Sequence, residues 1–127
     1  MDSSSEASFS PTEWQVMSAV WELGEADVFK ITDLVRSRFG RAYTQKTMGV
    51  LLFRLERKGH LRSTVADPAG RGRPVHLYSP VVSRQAAITV QLQRFLRDFF
   101  LDNDEDLIML RALLSQRVEQ APEDSST

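Results

Sequence analysis

Tyr43-Thr44-Gln45-Lys46-Thr47-Met48-Gly49-Val50-Leu51-Leu52-Phe53-Arg54-Leu55-Glu56-Arg57-Lys58-Gly59 is the stretch that decides the fold of this 127-residue chain. Thr44 is a helix N-cap by type, since its hydroxyl can accept from the free N–H groups of the first turn. Gly59 can take the left-handed conformation that closes a helix. Between them Met48, Leu51, Leu52 and Leu55 recur at spacings of three and four, which puts them on one face. The other face carries Thr44, Gln45, Lys46, Thr47, Gly49, Val50, Phe53, Arg54 and Arg57, with no acid before Glu56. Such a helix can bury one side in a small domain and offer its first turns to a major groove. Taken alone it is equally compatible with an ordinary solvated helix, so its flanks have to decide.

On the N-terminal side, Ser10-Pro11-Thr12-Glu13 has the form of a helix start: a capping serine, proline at the first helical position and glutamate three after the serine. Trp14, Met17, Val20 and Trp21 make an apolar stripe that ends at Gly24. The two tryptophans at this spacing are core residues rather than a ligand platform. A second helix is predicted from an Asp27 cap to Phe39, burying Val28, Ile31, Leu34, Val35 and Phe39, with Gly40 after it. Two helices joined by a short glycine-containing turn are the layout of a helix-turn-helix unit, with the helix from Thr44 as its recognition helix.

On the C-terminal side the period changes. Leu61 to Val65 and Val75 to Tyr78 alternate apolar and polar residues, as half-buried strands do, and Pro80 stops the second. Asp67 to Pro74 between them is a loop by composition. Three helices followed by a hairpin make a winged helix-turn-helix domain, here of mainly α (α+β) class. Arg71-Gly72-Arg73-Pro74 at the tip sets two guanidinium groups on a narrow backbone, a shape suited to a minor groove. It resembles the Arg-Gly-Arg-Pro core of an AT-hook, and a solvated loop is the competing account.

Charge supports the DNA reading. The net charge of −1 hides an asymmetry. From Arg41 to Tyr78 there are eight bases against two acids, and from Val81 to Thr127 five bases against eight acids. From a Ser83 cap the chain turns helical again, with an aromatic-rich stripe of Ile88, Leu92, Phe95, Leu96, Phe99 and Phe100. Asp102-Asn103-Asp104 breaks that helix and can cap the next, where Leu107, Ile108, Leu110, Leu113, Leu114 and Val118 recur up to Gln120. Two apolar faces outside a complete winged helix need cover. They could fold back on the domain, but a second copy of the chain is the expected cover, with Ile88, Leu92, Phe95, Phe99, Leu107, Leu110 and Leu114 as the dimerisation residues. The expected organisation is a tail over 1–9, a DNA-binding domain over 10–80, a helical dimerisation region over 81–120 and a polar tail over 121–127.

Several pieces together resemble the penicillinase-repressor family of bacterial winged-helix regulators. They are Trp14-Gln15-Val16-Met17 with Val20-Trp21-Glu22, then Thr44-Gln45-Lys46-Thr47 with Leu51-Leu52-Phe53-Arg54-Leu55 and Lys58-Gly59, then Tyr78-Ser79-Pro80. The resemblance implies a homodimeric repressor on a palindromic operator near the promoter of its own operon. It also implies Lys46 and Thr47 among the base-facing residues, with Thr44 and Gln45 close to the backbone. Gly49 departs from the family pattern, where a longer polar residue is usual, and the loop at the hairpin tip is longer and richer in arginine. The lack of cysteine argues against the copper-sensing branch, which binds metal through C-terminal cysteines.

Other chemistry finds no support. The sequence has no nucleophile elbow, phosphate-binding glycine-rich loop or His-Glu-x-x-His pair, so no enzyme, cofactor or metal site is expected. His60 and His76 belong beside the hairpin, as surface or DNA-proximal residues. No apolar run approaches the roughly 20 residues of a membrane span, and the serine-rich start is unlike a signal peptide, so a cytoplasmic location is expected. The rival from another class is a winged-helix module that binds protein rather than DNA.

Replacing both Arg71 and Arg73 by alanine is expected to weaken DNA binding across all sequences and to reduce the salt slope of the affinity. An unchanged slope would remove the wing tip from the phosphate contacts.

Overall fold

The computed structural model describes residues 9–66 and 74–120. The predicted elements form in the predicted order. They are α1 (Pro11–Leu23), α2 (Val28–Phe39), α3 (Gln45–Arg57), β1 (Leu61–Ala66), β2 (Val75–Pro80), α4 (Arg84–Asp98) and α5 (Asp104–Gln120). The strands pair antiparallel, Leu61 opposite Pro80 and Ala66 opposite Val75. The fold is a mostly helical α+β winged helix-turn-helix.

Local chemistry accounts for the helix ends. Ser10 Oγ accepts from Glu13 N–H at 3.1 Å while Glu13 Oε1 accepts from Ser10 N–H at 3.0 Å, which completes the capping box. Asp27 accepts from Lys30 N–H and Thr44 from Thr47 N–H, so α2 and α3 each satisfy an orphan donor in the same way. Gly59, with φ 88°, closes α3: its own N–H reaches Glu56 O and His60 N–H reaches Leu55 O. The same pair of bonds closes α4, from Phe100 N–H to Arg97 O and from Leu101 N–H to Leu96 O. Its left-handed residue is Phe100, with φ 56° and a side chain 80% exposed. A non-glycine residue there carries strain of about 1–2 kcal/mol.

The described residues fall into two compact units that divide between Gln91 and Leu92, within α4. The core of the first unit joins Val16, Met17 and Val20 of α1, Ile31 and Val35 of α2, and Met48, Leu52 and Leu55 of α3, all wholly buried. Phe9, Ala19, Ala26, Leu51, Leu61 and Ala87 complete it. Trp14 and Trp21 meet edge-on with ring centres 5.2 Å apart, pack against this core and stay half-buried, and Trp21 Nε1 donates to Val82 O. Phe39, placed inside by its spacing, is exposed at the end of α2.

Three further expectations change here. Phe9 belongs to the core rather than to a tail. Its ring packs against Trp14, Trp21 and His60, and its backbone N–H and C=O both pair with the Gln91 side-chain amide. The same amide, with buried Ala87, holds the first turns of α4 in the winged-helix unit, so this unit runs past Pro80. His60 is buried and not on the surface, because the tight closure of α3 turns the chain back onto the core, where its ring lies 4.4 Å from that of Phe9. His76 is exposed on β2.

A second unit begins at Leu92. Asn103 caps α5 through Asp106 N–H. Phe95 and Phe99 stack at 4.9 Å, yet α5 buries no residue at all. Leu92, Phe95, Phe99, Leu107 and Leu114 are all exposed, and Leu110 is half-buried. Ile88 is half-buried in the first unit.

One ion pair ties the ends of this core together. Lys58 Nζ donates to both carboxylate oxygens of Glu13, at 3.0 and 2.8 Å, and the Glu13 side chain is only 5% exposed. Burial pushes the Glu13 carboxyl up, but the Lys58 and Ser10 hydrogen bonds and the charges of Lys58 and His60 outweigh it. Its pKa therefore falls below the ordinary 4.5. A lowered folded-state pKa stabilises the protein in full above pH 4.5 and loses that contribution as pH falls through the folded value. Glu13→Gln is expected to cost about 1.5–3 kcal/mol at neutral pH. Urea unfolding should show the gap from the unsubstituted protein narrowing below pH 4.5, and a gap independent of pH would sink this account.

Candidate nucleic-acid interface

The inner face of α3 fixes what its outer face presents. Met48, Leu52 and Leu55 are wholly buried and Leu51 nearly so. At 100° per residue the line opposite them runs Lys46, Val50, Phe53, Arg57. All four are exposed, Val50 by 50% and Phe53 by 58%. Gln45 and Gly49 flank this line on one side, Thr47 and Arg54 on the other. The only acid of α3, Glu56, accepts a hydrogen bond from Ser63 Oγ at 2.8 Å. The exposed face is therefore cationic and free of carboxylates.

Its N-terminal end carries the positive pole of the helix, and no acid lies in the first turn. Gln45, Lys46 and Thr47 occupy that turn, all exposed. Thr44 and Thr47 are engaged with one another: besides the cap, their hydroxyls lie 3.1 Å apart. Arg54 is exposed nearly two turns further on. The Arg57 guanidinium sits 5.8 Å from the centre of the Phe53 ring, within cation–π range. Thr44, Gln45, Lys46, Thr47 and Arg54 are thus all exposed, with Lys46 on the midline of the outer face and Gln45 and Arg54 on opposite flanks of it. Arg71 and Arg73 lie outside the described residues.

Sequence periodicity set Val50 and Phe53 on the outer face but gave them no role. Their position on its midline is the feature that was missed, and the signal was the angle opposite the apolar stripe. Gly49 also takes on meaning. It borders a recess of about 430 Å³ whose walls include Phe29, Gln45, Val75, His76 and Tyr78. A Cβ at this position would meet nothing within 4 Å, and its φ is not left-handed. Neither packing nor backbone conformation within the chain calls for glycine here.

The hairpin base is fixed beside these elements. Ala26 N–H donates to Tyr78 O at 3.1 Å and Tyr78 N–H to Ala26 O at 2.8 Å, so the turn before α2 pairs with β2. Among the described residues no group of three or more histidines and carboxylates is placed to hold a metal ion. No helix among them is long and apolar enough to cross a membrane.

A recognition-type helix seated on two others, with a hairpin bridged to their turn, is the architecture of a winged-helix regulator. The penicillinase-repressor family model matches residues 9–124. The chain belongs to the penicillinase-repressor family. Its members are transcription regulators and not an enzyme family, and membership implies binding to DNA. Among curated proteins no sequence matches. Among solved structures the chain resembles the hsRosR–S4 complex at 13% identity and a TM-score of 0.56, covering 93% of this chain and 97% of that one. The transcriptional regulator PA4135 is similar at 21% identity and a TM-score of 0.49, covering 90% of this chain and 80% of that one. The first likeness shows a shared fold.

Within this penicillinase-repressor chain, Gly49→Ala is expected to raise stability by about 0.5–1 kcal/mol, since glycine inside a helix costs that much relative to alanine. Chemical denaturation measures it, and a loss of stability would contradict the open surroundings of Gly49.

Proposed function

We propose that this chain is a homodimeric transcriptional repressor that binds an inverted-repeat operator near the promoter of its own operon. The observation that carries the proposal is the rotation of α3, which points an exposed, cationic, acid-free face away from the core. In this reading α3 lies in the major groove. Lys46 and Thr47 approach base edges, Thr44, Gln45 and Arg54 anchor phosphates, and Arg71 and Arg73 reach an adjacent groove from the wing. The engaged hydroxyls of Thr44 and Thr47 favour Lys46 as the principal polar reader.

Dimerisation is supported by the second unit, where helix α5 buries nothing and leucines, phenylalanines and Met109 are left uncovered. Apolar surface on this scale marks an interaction face. Phe100 adds to it: a strained, fully presented aromatic side chain at a helix end gains most if a partner covers it. A two-fold pair of chains presents two copies of α3, which is why the operator should be an inverted repeat.

The test is selection from a random duplex pool by the purified protein at near-physiological salt. The expected result is enrichment of an inverted repeat. A·T-rich fragments without a repeat would shift the function to the wing. No enrichment by folded protein would favour the protein-binding alternative. On the selected repeat, Lys46→Ala is expected to alter which sequences are preferred, and a uniform loss over all sequences would make Lys46 a phosphate contact instead.

A further inference from the structure

The midline of α3 carries two side chains that the preceding proposal leaves without a task. We propose that Val50 and Phe53 read thymine, by packing against its C5-methyl group on the floor of the major groove. This inference rests on the DNA-binding reading of α3 and adds the base it selects.

Geometry comes first. Lys46, Val50, Phe53 and Arg57 form a single outward stripe at spacings of four, three and four. Residues that reach base edges from a recognition helix fall on such a stripe over about two turns. If α3 enters the groove with its core face inward to the protein, Val50 and Phe53 occupy the centre of the contact. They are too exposed to serve the core, at 50% and 58%.

Chemistry then selects the base. Neither side chain can donate or accept a hydrogen bond, so neither can pair with the donors and acceptors of guanine, adenine or cytosine. The thymine methyl is the apolar feature of the major-groove floor. A single exposed apolar residue on a surface means little, but here two adjoin at the midline of a face otherwise built of Lys46, Arg54 and Arg57. Arg54, beside the midline, and Arg57, at its C-terminal end, suit the phosphate walls, and Lys46 keeps its base-edge role at the N-terminal end, leaving the apolar pair for the floor between them. Arg57 lies over the Phe53 ring and steadies it. Gly49, which no contact within the chain requires, adds no side chain beside Phe53 and lets the helix backbone come close. A surface for a second protein would have the same apolar pair but no reason to sense a methyl group.

The experiment uses the full chain and the duplex that selection yields. Each thymidine is replaced in turn by deoxyuridine, which removes the methyl and keeps the pairing edge. The expected result for the unsubstituted protein is a loss of about fourfold at each contacted thymine, the worth of one buried methyl-sized group, and no change at the others. Phe53→Ala and Val50→Ala should bind the selected duplex more weakly and cease to respond at the corresponding thymine, while Phe53→Leu should keep part of the response. Circular dichroism should show both alanine variants folded, since neither side chain lies in the core. Tolerance of every deoxyuridine by the unsubstituted protein would overturn the inference and leave the repressor proposal standing. So would variants that respond as strongly as the parent. Failure to select any duplex would instead overturn the DNA-binding reading itself, and this inference with it.

Discussion

The proposed function depends on how one helix is rotated. Four residues on the inner side of α3, Met48, Leu51, Leu52 and Leu55, are taken out of water against α1 and α2. Each contributes on the order of 1.5–3 kcal/mol on burial, and turning the helix by one residue would expose part of that set. The apolar stripe is thus a rotational lock. Because side chains on a helix are held at fixed angles, locking the inner line also settles which residues face outward. The proposed binding chemistry is specified by the core, at a distance, without any bond to it.

The lock is reinforced at its ends by polar groups whose local and long-range roles coincide. Glu13 is a helix-capping residue in sequence terms and an ion-pair partner in tertiary terms, accepting from Ser10 N–H and Lys58 Nζ at once. Lys58 is the C-terminal cap of α3. A carboxylate that is nearly buried is costly unless every oxygen is occupied, so the start of α1 and the end of α3 must stay together. Phe9 and Gln91 tie the chain's beginning to α4 in a similar way, through two hydrogen bonds of 3.1 Å.

Most of this was legible in the sequence because it is local. Caps at Ser10, Asp27 and Thr44, the left-handed Gly59 and the alternation of the two strands each depend on residues within a turn of one another. The inner face of α3 was equally plain, being a period and nothing more. The contacts that escaped are those between residues far apart: Phe9 with Gln91, His60 beneath Phe9, Lys58 with Glu13. No spacing rule connects positions 9 and 91, and a serine-rich start looks like a tail until its phenylalanine finds three aromatic neighbours. In the candidate interface the charged and hydroxyl residues announced themselves by type. Val50 and Phe53 did not, since apolar residues are ordinarily assigned to cores, and only the angle between them and the buried stripe gives them an outward position. Gly49 stood out as a departure from pattern, but its open surroundings had to be seen.

The pairing of Ala26 with Tyr78 has a consequence for the partner rather than the protein. It adds a one-residue antiparallel bridge to the free edge of β2 and joins the hairpin to the turn before α2, while α2 and α3 share one core. Hairpin base and α3 are therefore parts of one frame with a fixed offset. A frame of that kind acts as a gauge. In the proposed complex, a duplex whose groove width or local twist departs from the offset must itself be deformed to fit, at an energy that depends on the stiffness of its base steps. Selection among sites would then extend to base pairs that no side chain touches.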